Sequence, residues 1–210
     1  MTQTAKFWNK MAERYAKSPI KDEEAYQRKL EVTRSYFRPE MNVIEIACGT
    51  GTTAISHAPH VNHILAIDIS SNMLEIARGK AAAESIENIS FEEATIETFD
   101  AAGKTYDLAM AHSILHLLED PESAIAKVYE MLKPGGVFVT STVCLGDSRF
   151  PWGIVIAPAR LLGFAPYVNS LKRSELESYF LEAGFQIDLE WERNKSNTAF
   201  VVLRKPADVD

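Results

Sequence analysis

The residues best suited to chemistry cluster where an apolar run, Val43-Ile44-Glu45-Ile46, breaks into Ala47-Cys48-Gly49-Thr50-Gly51 and then into small, helix-compatible residues through Ala54. A chain leaving a buried parallel strand must turn within two or three residues, and a Cβ in that turn would obstruct a ligand lying against the backbone. The turn also presents the free N–H groups of the next helix to whatever sits above it. A second apolar run, residues 64–68, ends in Asp68. A carboxylate at the end of the strand beside a glycine turn accepts hydrogen bonds from the 2′- and 3′-hydroxyls of an adenosine ribose. Turn and acid together predict an adenosine-containing ligand. Gly49-x-Gly51-x-x-Ala54 satisfies the G/A form of the dinucleotide fingerprint, so the turn by itself admits NAD as well as other adenosine ligands.

Further segments narrow the choice. Glu45-Ile46-Ala47-Cys48-Gly49-Thr50-Gly51 resembles the first motif (E/D-x-G-x-G-x-G) of the class I S-adenosylmethionine-dependent methyltransferases, and Ala66-Ile67-Asp68-Ile69-Ser70-Ser71-Asn72-Met73-Leu74 resembles their ribose-binding motif. Tyr106-Asp107-Leu108-Ala109-Met110-Ala111, with Leu115-His116 and Asp120-Pro121, resembles the fourth-strand motif; Leu132-Lys133-Pro134-Gly135-Gly136 resembles the turn before the fifth strand. The four motifs span residues 43–140, and the overall pattern is similar to the broad quinone-biosynthesis-like group. Two positions depart from the family: Ala47 replaces a glycine, and Thr95 stands where an acid near the adenine amine is usual, a role that passes to Glu93 or Glu97 if the register shifts by two.

The resemblance implies S-adenosyl-L-methionine as cofactor and S-adenosyl-L-homocysteine as product. It implies a cofactor site at Tyr15, Glu45, Ala47, Cys48, Gly49, Gly51, Asp68, Ile69, Met73, Thr95, Ile96 and Ala111. Tyr15 resembles a tyrosine that many small-molecule members fold over the methionyl end, and anchoring its helix to the sheet is the other reading. Ile69 and Met73 are placed to cover the adenine, although Met73 also has core spacing from Ile76 and Ala77.

Methyl transfer needs a nucleophile in line with the departing sulfur; the protein adds proximity and desolvation. Where the nucleophile must lose a proton, His112, after the fourth strand, is the candidate general base. His116, four residues on, makes a metal pair conceivable, but no third ligand accompanies it and no metal is expected. Cys48 and Cys144 are far apart and in no metal-like spacing, so no disulfide is expected either. His57, His60 and His63 are expected at the opposite edge of the sheet in surface roles. The acceptor should be chosen by residues 143–171, an apolar insertion with Phe150, Trp152, Ile154, Val155, Ile156, Leu161, Leu162, Phe164 and Tyr167 and prolines at 151, 158 and 166. Such a segment covers an apolar acceptor, packs as a lid, or forms a dimer surface. Phe150, Trp152, Tyr167 and Arg149 are the candidate substrate residues; Arg149, Arg160, Lys172 and Arg173 either hold an anionic group or are solvated charges.

The elements that position these residues alternate. Helices are predicted at residues 5–17 and 22–37, forming an N-terminal cap over 1–40, then near 51–58, 71–84, 121–132 and 172–183. Strands are predicted near 42–47, 63–68, 88–92, 106–111 and 136–142, with Lys133-Pro134-Gly135-Gly136 reversing the chain before the last of these. Residues 185–192 and 198–204, separated by a polar loop, predict a hairpin. The fold class is α/β; the resemblance implies a Rossmann-like seven-stranded sheet in the order 3-2-1-4-5-7-6 with its last strand antiparallel.

A chain of 210 residues, 46% hydrophobic, suits one domain over 1–210. Net charge −7 argues against nucleic acid, and no apolar run is long enough to span a membrane. The N-terminus lacks a signal peptide's apolar core, so a cytoplasmic location is expected, and the chain is expected as a monomer or homodimer. The function expected is methyl transfer to a small-molecule acceptor, apolar or aromatic. The alternatives are an NAD-linked oxidoreductase, for which 210 residues leave no separate substrate domain, or a non-catalytic S-adenosylmethionine-binding partner subunit.

Overall fold

The computed structural model describes residues 2–150, 152, 156, 158, 160, 165–192 and 197–208. Within them the strands are β1 (Asn42–Ile46), β2 (His63–Asp68), β3 (Ile89–Glu93), β4 (Tyr106–His112), β5 (Leu132–Val143), β6 (Gln186–Glu192) and β7 (Thr198–Arg204). The helices are α1 (Gln3–Ala16), α2 (Glu23–Arg34), α3 (Thr52–His57), α4 (Ser71–Ala83), α5 (Pro121–Met131) and α6 (Arg173–Glu182). The strands form one sheet in the order β3-β2-β1-β4-β5-β7-β6, as the resemblance implied. The chain divides into two compact units, residues 1–100 with 106–110, and residues 101–105 with 111–210.

In the first unit β1, β2 and β3 pair in parallel, with Ile44 opposite Leu65 and Ile67 opposite Glu92. Val43, Ile44, Ile64, Ala66 and Ile67 are fully buried, the continuous apolar pattern of a parallel sheet covered on both faces. Helix α4 begins at Ser70, whose hydroxyl accepts the Met73 N–H at 3.1 Å, and it buries Met73, Leu74, Ala77 and Ala81 on one stripe. Helix α1 buries only Ala5 and Ala12, so polar contacts carry part of its attachment. His57, expected at the surface, is fully buried with Phe37 edge-on at 5.0 Å. It closes a helix of six residues whose last turn packs inward.

In the second unit β7 runs antiparallel between β5 and β6. Part of the predicted hairpin loop, residues 193–196, lies outside the described residues. Strand β5 begins at Leu132 rather than near 136, because Lys133-Pro134-Gly135-Gly136 does not leave the sheet. The Gly135 N–H donates to the Lys205 carbonyl at 3.1 Å and the Lys205 N–H to that of Gly136 at 2.8 Å. The Lys205 ammonium then donates to the Tyr129 and Leu132 carbonyls at the end of α5, satisfying groups the helix leaves open. Among the described residues no helix is long and apolar enough to cross a membrane.

Candidate cofactor site

The glycine turn after β1 is held from two sides. Asp68, at the end of β2, accepts the Gly49 N–H at 2.8 Å through Oδ2 and the Ser70 N–H at 2.9 Å through Oδ1, so one carboxylate fixes both the turn and the start of α4. On its other side the Lys80 ammonium donates to the Thr50 and Thr52 hydroxyls at 2.9 and 3.0 Å. Ala47, Gly49 and Gly51 all have left-handed φ, +56°, +56° and +74°. Among the described residues, a Cβ at Gly49 would meet only Tyr15 Cε1, at 3.8 Å. At Gly51 it would stand 2.8 Å from the Ala77 Cβ and 3.3 Å from the Phe91 ring. Gly51 is therefore required by the approach of α4 to the turn, whereas the sequence suggested ligand clearance.

Glu45 and Asp68 are both buried. Burial drives the Glu45 carboxyl up to about 8; the Ala54 N–H opposes the rise and Asp68 adds to it. Its Oε2 has no hydrogen-bond partner among the described residues. Burial also raises Asp68, against the lowering effect of its two N–H donors from Ser70 and Gly49. The Cys48 thiol is pushed far up by burial, which leaves it a packing residue and not a nucleophile.

The Tyr15 side of the site comes from the N-terminal helices. Its phenol is raised by partial withdrawal from water and then by Asp68, Glu45 and Tyr26. Helix α1 is tied to the start of α4 through Asn9, whose Oδ1 accepts the Ser70 hydroxyl at 2.6 Å and the Asn72 N–H at 3.2 Å. Of the residues assigned to the cofactor site, Met73 and Ile96 are buried and Ile69 is half-buried. The Thr95 hydroxyl is already engaged, accepting the Thr98 N–H at 3.2 Å in a local turn. Asn9, Tyr26 and Lys80 escaped the sequence reading.

In the second unit Ala111 is buried and its carbonyl accepts the Thr140 hydroxyl at 2.8 Å. The His112 ring lies nearly parallel to that of Phe200, 14° apart with centroids at 6.5 Å. The next residue, Ser113, has φ +57°, and its N–H donates to the Ser141 carbonyl at 2.7 Å. His116 is lowered to about 4 by burial, and its Nδ1 has no partner among the described residues. No group of three potential metal ligands occurs among the described residues.

Phe150 and Trp152 form an exposed edge-to-face pair at 4.8 Å, with the Trp152 Nε1–H donated to the Ser148 hydroxyl. Tyr167 is instead covered by Arg160, 4.6 Å above its ring, while Arg149 is exposed. Arg160 also pairs with Glu119 and Arg173 with Glu190, each at 3.5 Å. Pro151, Ile154, Val155, Leu161, Leu162 and Phe164 lie outside the described residues.

A sheet in the order 3-2-1-4-5-7-6, with a glycine turn after its first strand and an acid after its second, defines a class I S-adenosylmethionine-dependent methyltransferase. The chain belongs to the methyltransferase domain family, whose pattern matches residues 37–167. It is 30% identical over 150 residues to a ubiquinone biosynthesis O-methyltransferase of Aromatoleum aromaticum, covering 69% of this chain. It spans only 63% of that relative's length. The N-methyltransferase NodS of Bradyrhizobium japonicum, solved with S-adenosylhomocysteine, has the same fold at a TM-score of 0.72 and 19% identity, covering 98% of this chain and 100% of that one. The cyclase SpnF shares the fold at 0.73 and 16% identity, covering 86% of this chain and 81% of that one.

Proposed function

We propose that the chain transfers a methyl group from S-adenosylmethionine to a small apolar or aromatic acceptor. The carrying observation is the pair of buried acids at the glycine turn. Asp68 is fixed by two N–H donors with acceptor capacity left for ribose hydroxyls, and Glu45 keeps an oxygen without a partner, suited to an ammonium. An adenosine joined to an amino acid offers both groups, which favours this cofactor over NAD. Family membership supports the same choice. The cofactor, when bound, supplies a methyl on a sulfonium open to in-line displacement.

Within this reading Tyr15 covers the methionyl end, and the exposed Phe150–Trp152 pair supports an aromatic or apolar acceptor. His112, steadied against Phe200, is the proton acceptor for an acceptor hydroxyl or amine.

Calorimetric titration with S-adenosylhomocysteine, with NADH as comparison, tests the reading. Micromolar binding of the first and not the second is expected, and the reverse would return the site to a dinucleotide enzyme. Asp68→Ala should weaken S-adenosylhomocysteine by about 1.5–3 kcal/mol, the usual worth of hydrogen bonds to a charged group. Unchanged affinity would remove Asp68 from the site.

A further inference from the structure

We infer that Lys80, which belongs to none of the sequence motifs, is a positioning residue for the cofactor: acting through Thr50 and Thr52, its ammonium holds the glycine turn in its ligand-accepting conformation; this rests on the cofactor reading above. The turn is not a conformation that the chain keeps by itself. Ala47, Gly49 and Gly51 all have left-handed φ. Glycine loses more freedom on ordering than any other residue, and such a backbone persists only where its surroundings over-determine it. Two backbone bonds contribute, the Gly49 N–H to Asp68 at 2.8 Å and the Gly51 N–H to the Cys48 carbonyl at 3.0 Å. Between the two glycines Thr50 alone offers a side chain to grip, and it is buried.

Lys80 supplies the grip. Its ammonium donates to the Thr50 hydroxyl at 2.9 Å and to the hydroxyl of Thr52, the first residue of α3, at 3.0 Å. One cation thus bridges the two residues that flank Gly51 and fixes them across its left-handed link. Ala77 and Lys80 are three residues apart and share a face of α4. The Ala77 Cβ stands 2.8 Å from where a Gly51 Cβ would be, so this face gives Gly51 a steric stop and its two neighbours a charged clasp. Partial burial lowers the Lys80 pKa, while Glu84, four residues on, supports its charge. A turn held in advance spares an arriving ligand the ordering of that backbone.

Lys80→Met keeps the aliphatic stem and removes the ammonium. S-adenosylhomocysteine should bind it about tenfold more weakly by calorimetry, the equivalent of ordering one residue's backbone on binding. In the ligand-free variant the hydrogen-bonded amides of Gly49 and Gly51 should exchange with solvent about tenfold faster than in the wild type. Thr50→Val with Thr52→Val retains Lys80 and its charge, and should weaken S-adenosylhomocysteine to the same degree. Adding Lys80→Met to that pair should then cost nothing further. Should the Lys80→Met chain not fold, the threonine pair alone carries the comparison.

Wild-type affinity in Lys80→Met or in the threonine pair would overturn the assignment and leave the cofactor reading intact, as would faster exchange throughout the molecule at unchanged affinity. Weaker binding with Gly49 and Gly51 exchanging at wild-type rates would put Lys80 on the ligand itself, and a further loss on adding Lys80→Met to the threonine pair would show it acting by another route; either overturns the positioning role. If the wild type binds no S-adenosylhomocysteine, the cofactor reading falls and this role falls with it.

Discussion

Ala47 occupies a position where the family pattern has glycine, and the structure shows what that costs. Its φ of +56° places a Cβ in the left-handed region, unfavourable by about 1–2 kcal/mol. Glycine would remove that strain while adding roughly 0.5–1 kcal/mol of unfolded-state freedom. Ala47→Gly should therefore stabilise the protein by up to about 1.5 kcal/mol, seen as a higher urea midpoint at unchanged m. A lower midpoint would mean that the Ala47 methyl is supplying packing worth more than the strain. Much of the candidate site was legible at this scale because its grammar is local: an apolar strand, a glycine turn, an acid ending the next strand. Lys80 and Asn9 were not legible. Lys80 reaches Thr52 across 28 residues and Asn9 reaches Asn72 across 63, and on their own helices both read as ordinary polar surface.

Among the elements, the contact of α4 with the turn sets the tightest tolerance. Gly51→Ala places a methyl 2.8 Å from the Ala77 Cβ at a φ of +74°, combining left-handed strain with overpacking. A loss on the order of 3 kcal/mol in thermal or denaturant unfolding is expected. Ala77→Gly in the same background should recover the part due to the contact and none of the part due to φ, so the double-mutant cycle separates them. A coupling of zero would show that α4 simply moves away. Element existence followed from apolar periodicity, and the sheet order from the family motifs. The early start of β5 did not follow from either. Pro134 and Gly135 locally signal a turn, and it is Lys205, bonded to the end of α5, together with the Pro206 carbonyl that holds them in the strand register.

For the whole molecule, pH integrates contributions from both units. Glu45, in the first, has a folded value of about 8 against an ordinary 4.5, so the unfolded chain releases a proton that the folded one keeps. Its contribution is full below about pH 4.5 and is lost as pH rises to about 8. His116, in the second, has a folded value of about 4 against 6.5, so its contribution is full above pH 6.5 and is lost as pH falls to about 4. Between 4.5 and 6.5 the two slopes oppose; above 6.5 the Glu45 slope acts without the His116 one. Ligand-free wild type should thus lose stability from pH 6.5 to 8, and Glu45→Gln should flatten that limb while gaining on the wild type as pH rises. The melting temperature of both proteins across pH 5–8.5 checks this. Equal slopes would mean that Glu45 is already ionised in the folded state. The same proton links stability to function: an arriving ammonium must expel it, so S-adenosylhomocysteine should release close to one proton per site at pH 7, read from titrations in buffers of different ionisation enthalpy. The Glu45→Gln protein should release none, and a wild type that also releases none would separate the open oxygen of Glu45 from the ligand's amine.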